Sequence, residues 1–411
     1  MNLTLYFVKI LLYNDMYIFH IYIKGERIMK KTKFIAIMTI IALCLSSFVG
    51  CGKAGEEKYV IGFSGPLTGA AAMYGQAVQN SAQMAIDEIN EAGGLNGVKF
   101  ELVATDDQHD PTKVSTNYAS MLEKGMQVSL GTVTTGPGLE FKNLSKDDNV
   151  FFLTPSASGD DIPEFDNGYQ MCFADGNQGG VAAAYVNENY KGQTIGIFYK
   201  QDDAYSKGIF DQFKANLDPS IKTVEALFTD ANATDFVAQI GELKACKFIF
   251  MPIYYTPASI FMTQAKDIMA ADTIYYGCDG FDGIEGADGF KIEEIPQEIT
   301  MLSHFNSKAT DGLAKEYVDK YTKAYKDAPL NQFGASAYDC VYAIFNAMKA
   351  AIDAGKEISV DISASDLCEI LKEQFEGGFT YTGVTGNDIK WDANGYVQKG
   401  AVKYVIKEAT K

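Results

Sequence analysis

The chain is predicted to fold as an α/β protein of two doubly wound, parallel-sheet lobes. Three observations point there. Strand-period and helix-period segments alternate along the chain. The alternation runs once from Tyr59 and starts again at Thr194. At 411 residues the chain exceeds what one ordinary core organises, so two lobes are the natural division. With 47% hydrophobic and 21% charged residues, the composition is that of a globular chain rather than a disordered one.

Taken in order, Tyr59–Phe63 is a short apolar strand. From Tyr74 to Asn90, Val78, Ala82, Ala85, Ile86 and Ile89 share one helical face. Val98–Ala104 alternates as a strand, and Thr112–Lys124 carries Val114, Tyr118, Met121 and Leu122 at helical spacing. Val128–Leu130 and Val150–Leu153 are further strands. The second run opens with a strand at Thr194–Tyr199 and a helix at Tyr205–Leu217. Phe236, Val237, Ile240 and Leu243 mark another helix. Strands at Phe248–Met251 and Thr273–Tyr276 flank a helix that begins near Pro257. Gly312–Lys326 and Ala335–Ala354 are strong helices, and Ala401–Ile406 alternates like an edge strand. Ligands of doubly wound sheets bind beyond the carboxyl ends of the strands. The loops after Phe63, Leu130, Leu153, Tyr199, Met251 and Tyr276 are therefore the candidate site.

The N-terminus reads as an address. Lys30, Lys31 and Lys33 precede an apolar run from Phe34 to Leu45, then small residues and Gly50-Cys51. That order predicts a lipoprotein signal over 29–50, with Cys51 lipidated and 51–58 a tether. The expected location is the outer face of the cell membrane of a Gram-positive bacterium. Residues 1–28 lack periodicity, and a purine-rich codon string at Lys24-Gly25-Glu26 suggests that translation begins at Met29. The remainder divides into an expected N-terminal lobe (59–175 and 306–380) and a C-terminal lobe (176–305 and 381–411).

Charge narrows the function. The net charge of −18 repels phosphate backbones, so no nucleic-acid partner is expected. Arg27 is the only arginine, and it precedes the expected cleavage point. A bound carboxylate must then be held by backbone amides, hydroxyls, a helix N-terminus or lysine rather than by a guanidinium fork. Beyond Cys51 five cysteines remain, widely spaced and without a C-x-x-C, so neither a disulfide framework nor a zinc site is expected. No cofactor motif, metal-ligand spacing or nucleophile elbow occurs, and the chain is read as a non-enzyme.

Gly65-Pro66-Leu67-Thr68-Gly69 with Tyr74-Gly75 resembles the opening of the Leu/Ile/Val-binding protein family. So do Ile89-Asn90 with Gly93-Gly94 and Gly97, Asp106-Asp107 with Asp110-Pro111, and Leu153-Thr154-Pro155-Ser156-Ala157-Ser158. Tyr255 with Pro257, and Ala337-Tyr338-Asp339, complete an ordered series from Tyr59 to the C-terminus. The resemblance implies a type I periplasmic binding protein, two lobes joined by three crossover strands that close on a ligand. It implies a monomer that hands an amino acid, most simply a branched-chain one, to the permease subunits of an ABC importer. Position by position, it places Val133, Thr134 and Thr135 in the loop that receives the ligand carboxylate. Ser156, Ala157 and Ser158 form the second such loop, and both loops are expected to precede helix starts. Asp279 falls at the acidic partner of the ammonium. Tyr255 would close from the second lobe, and Tyr74, Tyr205 and Phe333 would line the side-chain pocket.

Alternatives stand beside these roles. Thr135, Ser156 and Ser158 also suit helix caps. Asp279 lies in an acidic loop with Asp282, Glu285 and Asp288 that could be merely solvated or hold calcium, although the D-x-D-x-D-G spacing is absent. The ligand could be another amino acid, an amide, urea or an aromatic acid, and a lipoprotein hydrolase is the rival from another class.

Overall fold

A computed structural model describes residues 57–410. The expected upstream extension, signal segment and lipidated Cys51 lie outside the described residues.

The first sheet is built from β1 (Lys58–Gly65), β2 (Lys99–Asp106), β3 (Val128–Ser129), β4 (Phe152–Thr154) and β5 (Gly168–Gln170) in the order β2-β1-β3-β4-β5. Every pairing in it is parallel. Between the strands run α1 (Ala72–Glu91), α2 (Pro111–Glu123) and α3 (Thr135–Asp147). Strand β1 buries Ile61 and Phe63 completely, as a strand covered on both faces must.

The second lobe starts with α4 (Asp175–Asn189). It continues with β6 (Thr194–Lys200), α5 (Ala204–Asn216), β7 (Lys222–Phe228), α6 (Val237–Leu243), β8 (Phe248–Met251), α7 (Tyr255–Ala265), β9 (Ile274–Gly277) and β10 (Glu298–Ser303). The chain then returns to the first lobe as α8 (Gly312–Ala324), α9 (Gln332–Asp353) and α10 (Ala364–Glu376), followed by a hairpin of β11 (Tyr381–Gly383) and β12 (Gly386–Ile389). Finally β13 (Val402–Lys407) joins the second sheet, whose order is β13-β10-β9-β8-β6-β7. As its alternation predicts, β13 is an edge strand, and it runs antiparallel to β10. The chain passes between the sheets three times, near 171–174, 304–311 and 390–401.

One expected boundary moves. The hairpin is expected in the second lobe, but its bonds go to the first. Asp339 on α9 is fully buried and accepts the backbone N–H groups of Val384 and Thr385, each at 2.8 Å, and the Tyr381 hydroxyl at 3.1 Å. A buried carboxylate must be matched by donors, and the hairpin supplies them. Trp391 Nε1 likewise donates to the Gln170 carbonyl at the end of β5, 2.7 Å away.

The five described cysteines are all buried and free. Among the described residues no helix is long and apolar enough to cross a membrane.

Candidate ligand-binding site

The first wall of the cleft comes from two loops of the first lobe. After β3 the chain runs through Val133 to Thr134, whose extended backbone (φ −109°, ψ 151°) caps α3. Thr135 is the first helical residue, so its wall carries first-turn amides that have no acceptor inside the helix and the positive end of the helix dipole. Its hydroxyl is buried, the residue being 3% exposed, and has no hydrogen-bond partner. A buried polar atom without a partner calls for an explanation, and a ligand atom provides one.

The second loop follows β4 and is tied to the first. The Thr154 hydroxyl donates to the Thr132 carbonyl (2.7 Å), and the Ser156 hydroxyl donates to the Val133 carbonyl. Ser158 is buried, and its carbonyl accepts Asp175 N–H at 2.7 Å. The expectation that this loop also opens a helix does not hold. Turns and β5 intervene, and the next helix starts only at Asp175. The helix dipole therefore acts on the first loop alone.

The opposite wall belongs to the second lobe. Asp279 follows β9 and is 1% exposed. The Tyr205 hydroxyl donates to its Oδ1 at 2.7 Å, and its own N–H reaches Gln178 Oε1 at 3.0 Å. Gly280 N–H donates to the same Tyr205 hydroxyl at 2.9 Å, and a Cβ at Gly280 would lie 2.7 Å from that oxygen, so only glycine fits. Burial pushes the Asp279 carboxyl up to about 6, while the bonds from Tyr205 and Gln178 pull the other way. Tyr205 itself is set by the start of α5, where Asp203 Oδ1 accepts Ser206 N–H at 2.9 Å.

Aromatic rings close the space. Tyr74 meets Phe333 edge-on at 4.8 Å, and its hydroxyl donates to the Gly280 carbonyl across the cleft. Tyr74 can sit there because Gly75 lacks a Cβ, which would otherwise lie 2.2 Å from the Pro66 carbonyl oxygen. Tyr254 stacks on Tyr205 at 4.6 Å, and its buried hydroxyl has no partner. The free space between the walls is narrow, about 10 Å³, roughly the room one water needs, so the lobes stand close together around these residues.

Tyr74, Val133, Thr134, Thr135, Ser156, Ser158, Tyr205, Asp279 and Phe333 all line this cavity. Two expected residues do not. Ala157 is buried beneath its loop with its carbonyl accepting Gln170 Nε2 at 2.9 Å. Tyr255 packs edge-on against Tyr74 at 5.0 Å, and the cavity position goes to Tyr254 instead. The reason is local: Tyr254 is the extended residue before α7 and Tyr255 the first helical one, so the two rings diverge. Sequence reasoning missed Tyr254 and Gly280. The Tyr254-Tyr255 pair alone marked the place, without saying which ring turns inward.

The rest of the acidic loop does other work. Asp282 is half-buried and accepts Gln332 N–H at 2.8 Å, and burial raises its carboxyl to about 7. Among the described residues no group of His, Cys, Asp or Glu is placed to hold a metal. His304 Nε2 lies 2.7 Å from Ser336 Oγ, but His304 Nδ1 is buried without a partner. The pair thus lacks the acid that would orient a catalytic imidazole.

Two parallel-sheet lobes around an interlobe cavity define the class of type I periplasmic binding proteins. The family profile described as "Periplasmic binding protein" matches residues 58–399, and the chain belongs to that family. It is similar to the Leucine-, isoleucine-, valine-, threonine-, and alanine-binding protein of Pseudomonas aeruginosa, 30% identical over 77% of this chain and 84% of that one. It is 29% identical to the Leu/Ile/Val-binding protein BraC3 of Rhizobium johnstonii over 71% of this chain and 78% of that one. Among solved structures, the branched-chain amino acid transporter substrate binding protein LivJ from Streptococcus pneumoniae, in complex with isoleucine, superposes with a TM-score of 0.73. It is 25% identical, and the match covers 86% of this chain and 99% of that one.

Proposed function

We propose that this chain is the extracytoplasmic solute-binding component of an ABC importer and binds a small branched-chain amino acid as a zwitterion. The single observation behind the reading is the asymmetry of the cavity. One wall offers an unpartnered buried hydroxyl beside a helix N-terminus, and the other a buried carboxyl that no cation meets. An α-carboxylate suits the first wall and an α-ammonium the second. Both charges then exchange water for fixed partners, the condition under which buried charge is tolerated. The aromatic floor of Tyr74 and Phe333 suits a short apolar side chain. The named ligands of the similar proteins agree with this reading.

In this mechanism the hydroxyl loops capture the carboxylate first. Closure brings Asp279, Tyr205 and Tyr254 onto the ammonium side, and the closed shape is what a permease reads. Lipid at Cys51 would keep the protein at the membrane. An aromatic acid or urea would leave Asp279 without a cation, which disfavours those alternatives.

Calorimetry with each of the twenty amino acids, urea and benzoate tests the ligand. Leucine, isoleucine or valine should bind most tightly; tightest binding of benzoate or urea would refute the zwitterion reading. A ligand present at a hundredfold excess over its Kd should stabilise the fold by about 2.7 kcal/mol. For the anchor, Cys51→Ser should move the protein from the membrane fraction to the medium.

A further inference from the structure

His109 stands in the loop between β2 and α2 with a left-handed backbone (φ 63°), a conformation in which histidine, asparagine and aspartate are enriched among residues other than glycine. Its N–H is held by Asp107 Oδ1 at 2.9 Å. The result is an imidazole projected across the cleft. Nδ1 lies 2.9 Å from the Thr134 hydroxyl, next to the unpartnered Thr135, and Nε2 lies 3.7 Å from Asp203 Oδ2 in the second lobe. The ring also meets Tyr254 edge-on at 5.1 Å, and Tyr254 stacks on Tyr205, which holds Asp279. By contrast the lysine pairs Lys142–Glu164, Lys214–Glu225, Lys266–Glu294 and Lys320–Glu88 each stay inside one lobe.

We infer that His109 is the clasp of the cleft, a positioning residue that joins the carboxylate-side loop to Asp203 when the lobes meet and that acid loosens. With the proton on Nε2, which faces Asp203 across a gap too long for a hydrogen bond, Nδ1 is free to accept the Thr134 hydroxyl, which fixes Thr134 within the capture loop. Opening the cleft breaks the Asp203 and Tyr254 contacts together and returns the imidazole to water.

The direction of the pH effect follows from the groups facing the ring. Burial disfavours the imidazolium and is the largest influence. Asp203 opposes it, Lys200 reinforces it, and Asp230 and Asp110 oppose it. The net effect holds His109 below the ordinary histidine range. An imidazole whose proton is bound less tightly in the closed form must shed it on closing. Closure therefore strengthens as pH rises toward about 6.5, the value of a solvated histidine, and levels off above it. The clasp itself needs only the two lobes; its coupling to capture rests on the reading of the cavity as an amino-acid site.

NMR titration of the imidazole resonances tests this on the ligand-free full-length protein, with the signal lost in His109→Asn giving the assignment. His109 should titrate below a free histidine. In Asp203→Asn, where asparagine still caps α5, it should titrate lower still, because the opposing carboxylate is gone. A His109 that titrates like a free imidazole both without ligand and with saturating leucine, and ignores Asp203→Asn, would overturn the clasp. L-leucine provides the second arm. Leucine should lower the His109 value further, and His109→Asn should weaken leucine binding by about threefold to tenfold at pH 7.5. No calorimetric heat with wild-type protein would defeat the amino-acid reading and leave the ligand-free titration to decide the clasp. Leucine binding with His109 unmoved would defeat the coupling alone.

Discussion

The two walls of the cleft build opposite charges from different materials. Among the described residues, none that lines the first-lobe wall is formally charged. That wall spreads its positive character over helix amides and the unpartnered Thr135 hydroxyl, with Ser156 and Ser158 beside them. The second-lobe wall concentrates its negative character in the single carboxyl of Asp279, steadied by Tyr205. A distributed site should degrade gradually under mutation, and a concentrated one should fail at a single position.

The largest effect should come from Asp279→Ala, which removes the one acid lining the cavity among the described residues. A loss of about 2–5 kcal/mol in leucine binding by calorimetry is expected. Thr135→Val keeps the shape and deletes a hydroxyl that bonds nothing in the protein. It should leave the melting temperature unchanged yet weaken binding by about 1.5–3 kcal/mol, the value of a bond to a charged group. If Thr135→Val costs as much as Asp279→Ala, the contrast between the walls collapses.

The acid wall should also respond to pH. Without ligand, burial holds the Asp279 carboxyl near 6. An adjacent ammonium lowers it, so binding below that pH must expel a proton. Affinity should be full above about pH 6 and fall by up to tenfold per unit below it, with matching proton release in calorimetry across buffers. The stability of the ligand-free protein runs the other way. Its carboxyl is raised above the unfolded value near 3.9, so ionising it between there and about 6 weakens the fold. The thermal shift produced by leucine should accordingly grow as pH rises through that window. The smallest test compares neighbours. Tyr254→Phe should cost about 1 kcal/mol in binding through its lost hydroxyl, whereas Tyr255→Phe should stay within about 0.5 kcal/mol.

Much of the fold was legible because its central elements have strong periods. Strand β8 is buried at all four residues, and α1 and α9 carry wide apolar faces. Weak elements were not. Strand β5 has three residues, and α4 mixes Gly176, Gly179 and Gly180 with alanines, so neither shows a clear period. In the site, Asp279 and the hydroxyl loops were readable through ordered motifs at strand ends. His109 was not, because its reach across the cleft depends on a backbone conformation that no local pattern signals. Tyr254 and Tyr255 show the remaining ambiguity, since a one-residue shift at a helix start decides which ring turns inward.

The buried thiols carry a practical consequence. Cys172, Cys246, Cys278, Cys340 and Cys368 are all sealed in the interior, and burial pushes each of them up, away from the reactive thiolate form. None of them forms a covalent staple, so maturation of the domain waits on no oxidant. It should refold in strong reductant as readily as in air, and a maleimide should label it only once the chain has been unfolded.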